Sequence, residues 1–261
     1  RPVQAQPAAE RFDILIVGGS VLDGTGRAAQ RLDVAIRGDR IVAMAPTLSR
    51  ANATRVINAT GRTVSPGFID LHAHLEPLLE YPLMESALRQ GVTLALGGPD
   101  GGSPLPLAPY LDSVRTATIG INVAYLVGHN DVRRAVLGMA ARAPNAAELS
   151  RMQQLVATAM GQGAFGLSTR LLYLPGTYSN IEEVIALAQV ASDSGGIACK
   201  DAATVKDQRS VFSEVIKQIG KNVFAGRDLM CARARHVRAR ALRRAALTRA
   251  APRAGAAAQP E

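Results

Sequence analysis

Pro66-Gly67-Phe68-Ile69-Asp70-Leu71-His72-Ala73-His74 decides how the rest of the chain is read. A short apolar run ends in two histidines spaced i, i+2. Alternate residues of a β-strand share a face, so Asp70, His72 and His74 are expected to point the same way. Neutral imidazole nitrogens suit zinc and its neighbours, and a pair of them at a strand end supplies half of a metal site. The chain holds only 4 His in 261 residues, and two of them fall in this tripeptide, which argues against a chance pairing in a loop.

Upstream, residues 12–65 read as short strands separated by turns. An apolar run over 12–17 closes on Gly18-Gly19, and runs over 33–36 and 41–44 flank Arg37-Gly38-Asp39-Arg40, a hairpin pattern. Further runs at 55–57 and 63–64 bracket Asn58-Ala59-Thr60-Gly61. The glycines at 18, 19, 24 and 26 do not space as G-x-G-x-x-G, which excludes a dinucleotide fingerprint.

Downstream of Pro66 the texture changes to strands alternating with helices. Strands are expected at 68–71, 92–96, 121–127, 164–169 and 196–199. Asn145-Ala146-Ala147-Glu148 has the form of a capping box ahead of an apolar face at Leu149, Met152, Val156 and Met160. Ser179-Asn180-Ile181-Glu182 repeats the device, with Ile181, Val184, Ile185 and Ala188 as the expected buried face and Gly195-Gly196 as the stop. Repeated β-α units give the α/β class with a parallel sheet, either a barrel or a doubly wound sheet.

Barrel enzymes carry their chemistry at the C-terminal ends of the strands. Polar groups stand at every such end here: His72 and His74, then Asp100, then His129-Asn130, then Ser168-Thr169-Arg170 through Tyr173, then Lys200-Asp201. Each has an ordinary alternative. Asp100 sits in a Gly/Pro-rich stretch where Asp is a normal turn residue. His129 reads as a donor behind the ligands or as a loop residue, and Tyr173 as a packing aromatic or a substrate contact. Lys200 reads as a solvated lysine or, beside a metal pair, as a carboxylated bridging ligand, and Cys199 as buried filler.

Six segments in order over roughly residues 12–196 then resemble the metal-dependent amidohydrolase superfamily, in its N-acyl-D-amino-acid deacylase (D-aminoacylase) branch. They are the segments at 18–26, 38–41, 64–74, 90–93, 128–133 and 163–169, with Tyr173 and Pro175 close behind. The resemblance implies a small N-terminal β-sandwich domain joined to a TIM (β/α)₈ barrel with zinc, one or two divalent metal ions, at its mouth. It implies hydrolysis of a small-molecule N-acyl amino acid, with His72 and His74 as first-strand metal ligands. Asp100 falls where the deacylases usually place a Cys ligand, and Arg170 stands where they have Gly. The residues expected to touch substrate or to support the ligands are His129, Arg133, Ser168 and Tyr173.

Beyond Gly196 the pattern departs from the family. Ala198-Cys199-Lys200-Asp201 replaces the usual His-bearing strand end, and the later histidines and the final-strand Asp that acts as general base are missing. A complete barrel needs about 250 residues, whereas 66–226 offers 161. The barrel is therefore expected to be incomplete, with the C-terminal part truncated or frameshifted and this chain inactive. Two other readings stay open: a dihydroorotase- or hydantoinase-like cyclic amidohydrolase using Lys200, and a non-catalytic fragment.

The expected layout is a leader over 1–11, the β domain over 12–65, the partial barrel over 66–226 and an Arg/Ala-rich tail over 227–261, disordered or loosely helical. The formal net charge of +9 suggests nucleic acid until it is located. Nine Arg in 227–261 against Asp228 and Glu261 account for +7, leaving +2 for the other 226 residues. A body so nearly neutral argues against a nucleic-acid partner. With 48% hydrophobic residues and no run of 18 apolar ones, no membrane span is predicted. Two Cys exclude a disulfide framework. The leader fits either a flexible extension or the remnant of a cleaved signal peptide, so cytoplasmic and periplasmic or secreted placements both stay open, as does oligomeric state.

Overall fold

The computed structural model describes residues 11–198, which divide into two units between Gly67 and Phe68. Lys200, Cys199, His236 and the Arg-rich tail lie outside the described residues.

The first unit is a five-stranded sheet. Its strands are β1 (Phe12–Val21), β2 (Gln30–Arg37), β3 (Arg40–Ala45), β4 (Ala53–Asn58) and β5 (Thr63–Val64). The order is β3-β2-β1-β4, with β5 also on β1. In β1 the alternation is plain: Leu15, Val17 and Val21 are buried while Asp13 and Ser20 are exposed, the period of a half-buried strand. Leu15, Val17, Phe12 and Ala35 make the core of this unit. The β2–β3 hairpin closes on the two residues Gly38-Asp39, with Arg37 opposite Arg40. Asp33 is buried, and its carboxylate accepts from Gly18 N at 2.8 Å and Leu48 N at 3.0 Å, pinning the register shift in β1. The described residues hold one sheet here rather than the two layers of a sandwich.

In the second unit the elements are β6 (Phe68–Asp70), α1 (Glu85–Arg89), β7 (Val92–Gly97), α2 (Leu107–Thr116), β8 (Asn122–Tyr125), β9 (Val127–Gly128), α3 (His129–Leu137), α4 (Ala146–Gly161), β10 (Gly166–Ser168), α5 (Ile181–Asp193) and β11 (Ile197–Ala198). Every strand pair is parallel, in the orders β6-β7-β8 and β9-β10-β11. The strand expected over 121–127 is interrupted at Leu126, where the two sheets meet. Leu126 N donates to Gly97 O at 2.9 Å, and Phe165 N donates to Tyr125 O at 2.8 Å. Five strand positions thus run in chain order without the reversal that defines a doubly wound sheet. Sequential parallel strands with intervening helices are the wall of a (β/α) barrel. Leu94, Leu96, Ala124 and Leu126 cluster on one face of the wall. Ala95, Val123, Tyr125, Val127 and Leu167 face the other way, into the larger core with Leu111, Met152, Val156 and Leu187 from the helices.

The box at the start of α4 forms as expected. Glu148 N donates to Asn145 Oδ1 at 2.9 Å, and Asn145 N donates to Glu148 Oε2 at 2.8 Å. For α5 the expectation is corrected by one residue. The cap is Asn180, whose side chain accepts from Glu183 N, and the buried face is Glu183, Leu187 and Ala191. Ile181 and Ile185, expected inside, are 60% and 59% exposed. One residue is about 100° of helix rotation, and that rotation carries a carboxylate inward to two basic partners in α3.

Candidate metal centre

Strand β6 stops at Asp70, earlier than the strand expected through Leu71, yet the alternation runs on. Ala73 and Leu75 are buried while His72 and His74 are exposed, and Ala73 N donates to Leu96 O at 3.0 Å, holding this segment against β7. The two imidazoles therefore share a side. Asp70 does not join them, because its carboxylate turns back to accept from His72 N at 3.0 Å.

Both rings meet the same oxygen. His72 Nε2 lies 3.4 Å from Asp100 Oδ2, and His74 Nε2 lies 3.7 Å from it. One ligand atom from each of the three residues falls within 4.8 Å of the others. Donors about 2.0–2.2 Å from a tetrahedral zinc stand about 3.3–3.6 Å apart, so the two carboxylate–imidazole spacings suit that ion. His74 Nδ1 lies 3.4 Å from Glu76 Oε1. A carboxylate behind a histidine leaves its other nitrogen free to face a metal. The imidazole side chains are 59% and 60% exposed, so the cluster is open to solvent.

Asp100 is placed by a loop with little freedom. It follows β7, has φ +59°, and is gripped on both sides. Ser168 Oγ accepts from Gly101 N at 3.1 Å and donates to Gly98 O at 2.6 Å. Asn130 N donates to Gly101 O at 2.9 Å. Gly128 has to be glycine, because a Cβ there would stand 2.3 Å from Gly101 O. Arg170 Nη1 donates to Asp100 Oδ1 at 2.9 Å, and the guanidinium carbon lies 4.6 Å from the centre of the Tyr173 ring. Partial burial pushes the Asp100 carboxyl up. The Arg170 hydrogen bond, the Arg170 charge and the neighbouring His72 and His74 rings outweigh it, holding the group below the ordinary carboxylate value.

Of the remaining expected residues, two sit away from the cluster. His129 and Arg133 are fully buried, and the structure gives them to a network under the loops rather than to the open cluster. Glu183, which the sequence reading missed, is its centre. Its carboxylate lies 2.8 Å from His129 Nε2, accepts from Arg133 Nη1, and accepts from Ser179 Oγ at 3.1 Å. Arg133 Nη2 also donates to the carbonyls of Ala140 at 3.1 Å and Arg142 at 2.6 Å. His129 Nδ1 lies 2.8 Å from Thr169 Oγ1, one residue before Arg170. Burial pushes the Glu183 carboxyl up, and the hydrogen bonds from His129 and Arg133 more than reverse it. Ser168 serves the Asp100 loop, and Tyr173, half exposed, carries Arg170. The signal for Arg170 was the departure from the family pattern at 168–170. Glu183 had only its place three residues after Asn180.

Known proteins resemble this chain in sequence and fold. Residues 55–220 match the model of the amidohydrolase family. The chain is 35% identical over 217 residues to D-aminoacylase of Alcaligenes xylosoxydans xylosoxydans, covering 74% of this chain and 45% of that protein. It is 38% identical over 211 residues to N-acyl-D-glutamate deacylase of the same organism, covering 72% and 43%. A crystal structure of N-acyl-D-glutamate deacylase from Bordetella bronchiseptica, with zinc and a phosphonate mimic of the tetrahedral intermediate, superimposes with a TM-score of 0.66 at 34% identity. That match covers 70% of this chain and 44% of the other. The aligned part of the chain spans less than half the length of these relatives.

Proposed function

Since the chain belongs to the amidohydrolase family, we propose that it carries the first-strand metal site of a zinc-dependent hydrolase of N-acyl-D-amino acids. The observation that supports this most directly is the convergence of His72 Nε2 and His74 Nε2 on Asp100 Oδ2 at 3.4 and 3.7 Å, at the C-terminal ends of adjacent parallel strands. His72, His74 and Asp100 would hold the ion, and Glu76 would orient His74. Zinc in such a site lowers the pKa of a bound water to about 7 and polarises a carbonyl.

The chain's own residues do the positioning. Ser168 and Asn130 fix the Asp100 loop, and Asp100 presents one oxygen to both rings. Tyr173, at the rim beside Arg170, offers a ring and a hydroxyl to substrate. His129 is excluded from proton transfer to substrate by its place, since both ring nitrogens are engaged inside the core.

The test is metal analysis after dialysis, on the parent and on His72→Ala, alongside amine release from N-acetyl-D-amino acids. The parent is expected to retain zinc stoichiometrically, His72→Ala to lose it, and any amine release to favour the D-enantiomer and follow the metal. Zinc content unchanged by His72→Ala, or release indifferent to the metal, would refute the assignment.

A further inference from the structure

Asp100 has two oxygens and two kinds of cation to serve. Oδ2 faces the imidazoles, and Oδ1 accepts from Arg170 Nη1 at 2.9 Å. The guanidinium is itself seated. Its carbon lies 4.6 Å from the Tyr173 ring centre, and the Arg170 carbonyl accepts from Asn130 Nδ2 at 3.4 Å. An arginine stays charged at every working pH, so a fixed positive charge sits one carboxylate away from the place where a divalent cation would bind. Among the described residues the other carboxylates beside the cluster are Glu76, on the far side of His74, and Asp70, which is turned back to His72 N. The family resemblance has Gly at position 170, which places no charge there.

We propose that Arg170 is a resident counter-cation of the metal centre: it shares Asp100 with the bound metal and sets zinc affinity about tenfold below that of the ligands alone. The inference rests on the metal site proposed above. Arg170 is a positioning residue acting through Asp100, with two opposed effects. It turns Oδ2 toward the imidazoles, which favours the metal, and it repels the metal as a like charge. Repulsion wins here because the main chain at Asp100 is already fixed by Ser168 and Asn130, leaving only two side-chain torsions for Arg170 to order. The result is a site whose cation exchanges more readily than the donor set by itself would allow.

The measurement is zinc affinity by competition with a chromophoric chelator, on the full chain and on Arg170→Met, Arg170→Lys and His72→Ala, with a urea midpoint for each. Arg170→Met is expected to bind zinc about tenfold tighter, equal to about 1.4 kcal/mol. Arg170→Lys, which keeps the charge, is expected to stay close to the parent. The gap between parent and Arg170→Met narrows in high salt, because the site is exposed. Equal or weaker binding by Arg170→Met would overturn the proposal, as would equal tightening by Met and Lys, which would make the effect one of shape. His72→Ala tells the two failures apart. If it leaves zinc affinity unchanged, the metal site itself is wrong; if it abolishes binding while Arg170→Met does nothing, only the role of Arg170 falls.

Discussion

Replacing Glu183 by Gln keeps the shape of the side chain and removes its charge from the interior. Glu183 is 1% exposed and meets three polar groups: His129 Nε2 at 2.8 Å, Arg133 Nη1, and Ser179 Oγ at 3.1 Å. The amide nitrogen of Gln would face one of these donors with another donor, and Arg133 would become a buried cation without its anion. Breaking a buried pair from one side costs about 3–5 kcal/mol. Arg133 keeps the carbonyls of Ala140 and Arg142, which places the expected loss near the lower end, about 3 kcal/mol. That is a large share of the 5–15 kcal/mol typical of a domain. Urea unfolding followed by far-UV circular dichroism measures it, with chelator present so that metal binding does not contribute. The double variant Arg133→Met/Glu183→Leu removes both charges and is expected to be more stable than Glu183→Gln by about 1 kcal/mol or more. A loss below about 1 kcal/mol in Glu183→Gln, or a double variant no better than the single, would refute the reading of this network as a coupled buried pair.

Two more outcomes follow from local geometry. Gly128→Ala drives a methyl into Gly101 O and is expected to lower stability by about 1–3 kcal/mol and to weaken zinc retention, checked by urea midpoint and metal content. In the α4 box, the Glu148 carboxyl is held down to about 2 by hydrogen bonds from Arg142 and from Asn145 N. Its folded value lies below the ordinary 4.5, so its contribution is full above that value and is lost as pH falls toward about 2. The urea-midpoint difference between parent and Glu148→Gln should shrink over that window, and a difference independent of pH would count against it.

Much of the wall was legible because its signals are local. The hairpin around Gly38-Asp39, the strand positions from Phe68 to Ala198 and the box at Asn145 each depend on residues a few places apart. The pairing of His72 with His74 was legible for the same reason, since two-residue alternation persists beyond the end of β6. The register of α5 was not. Ser179-x-x-Glu182 and Asn180-x-x-Glu183 both satisfy the capping pattern, and they differ by one residue. The choice between them is made by Arg133 and His129, 50 and 54 positions away in sequence. Arg170 was hidden in the same way, because its partner lies 70 residues back. Buried or shared charges are settled by distant chain segments, and periodicity carries no trace of those.

On either side of Asp100, at Gly98 and Gly101, the packing leaves no space for an added carbon. A methyl on Gly98 would meet Leu126 O at 2.4 Å, and one on Gly101 would meet the Asn130 amide at 2.9 Å. The frame that presents this carboxylate is therefore closed to gradual substitution. Asp100 itself, at φ +59°, sits where Asp, Asn and Gly are favoured, whereas the side chain at position 170 is under no such backbone restriction. Descendants of this sequence can thus retune the cation by exchanging the group at position 170, with the scaffold beneath it inherited unaltered.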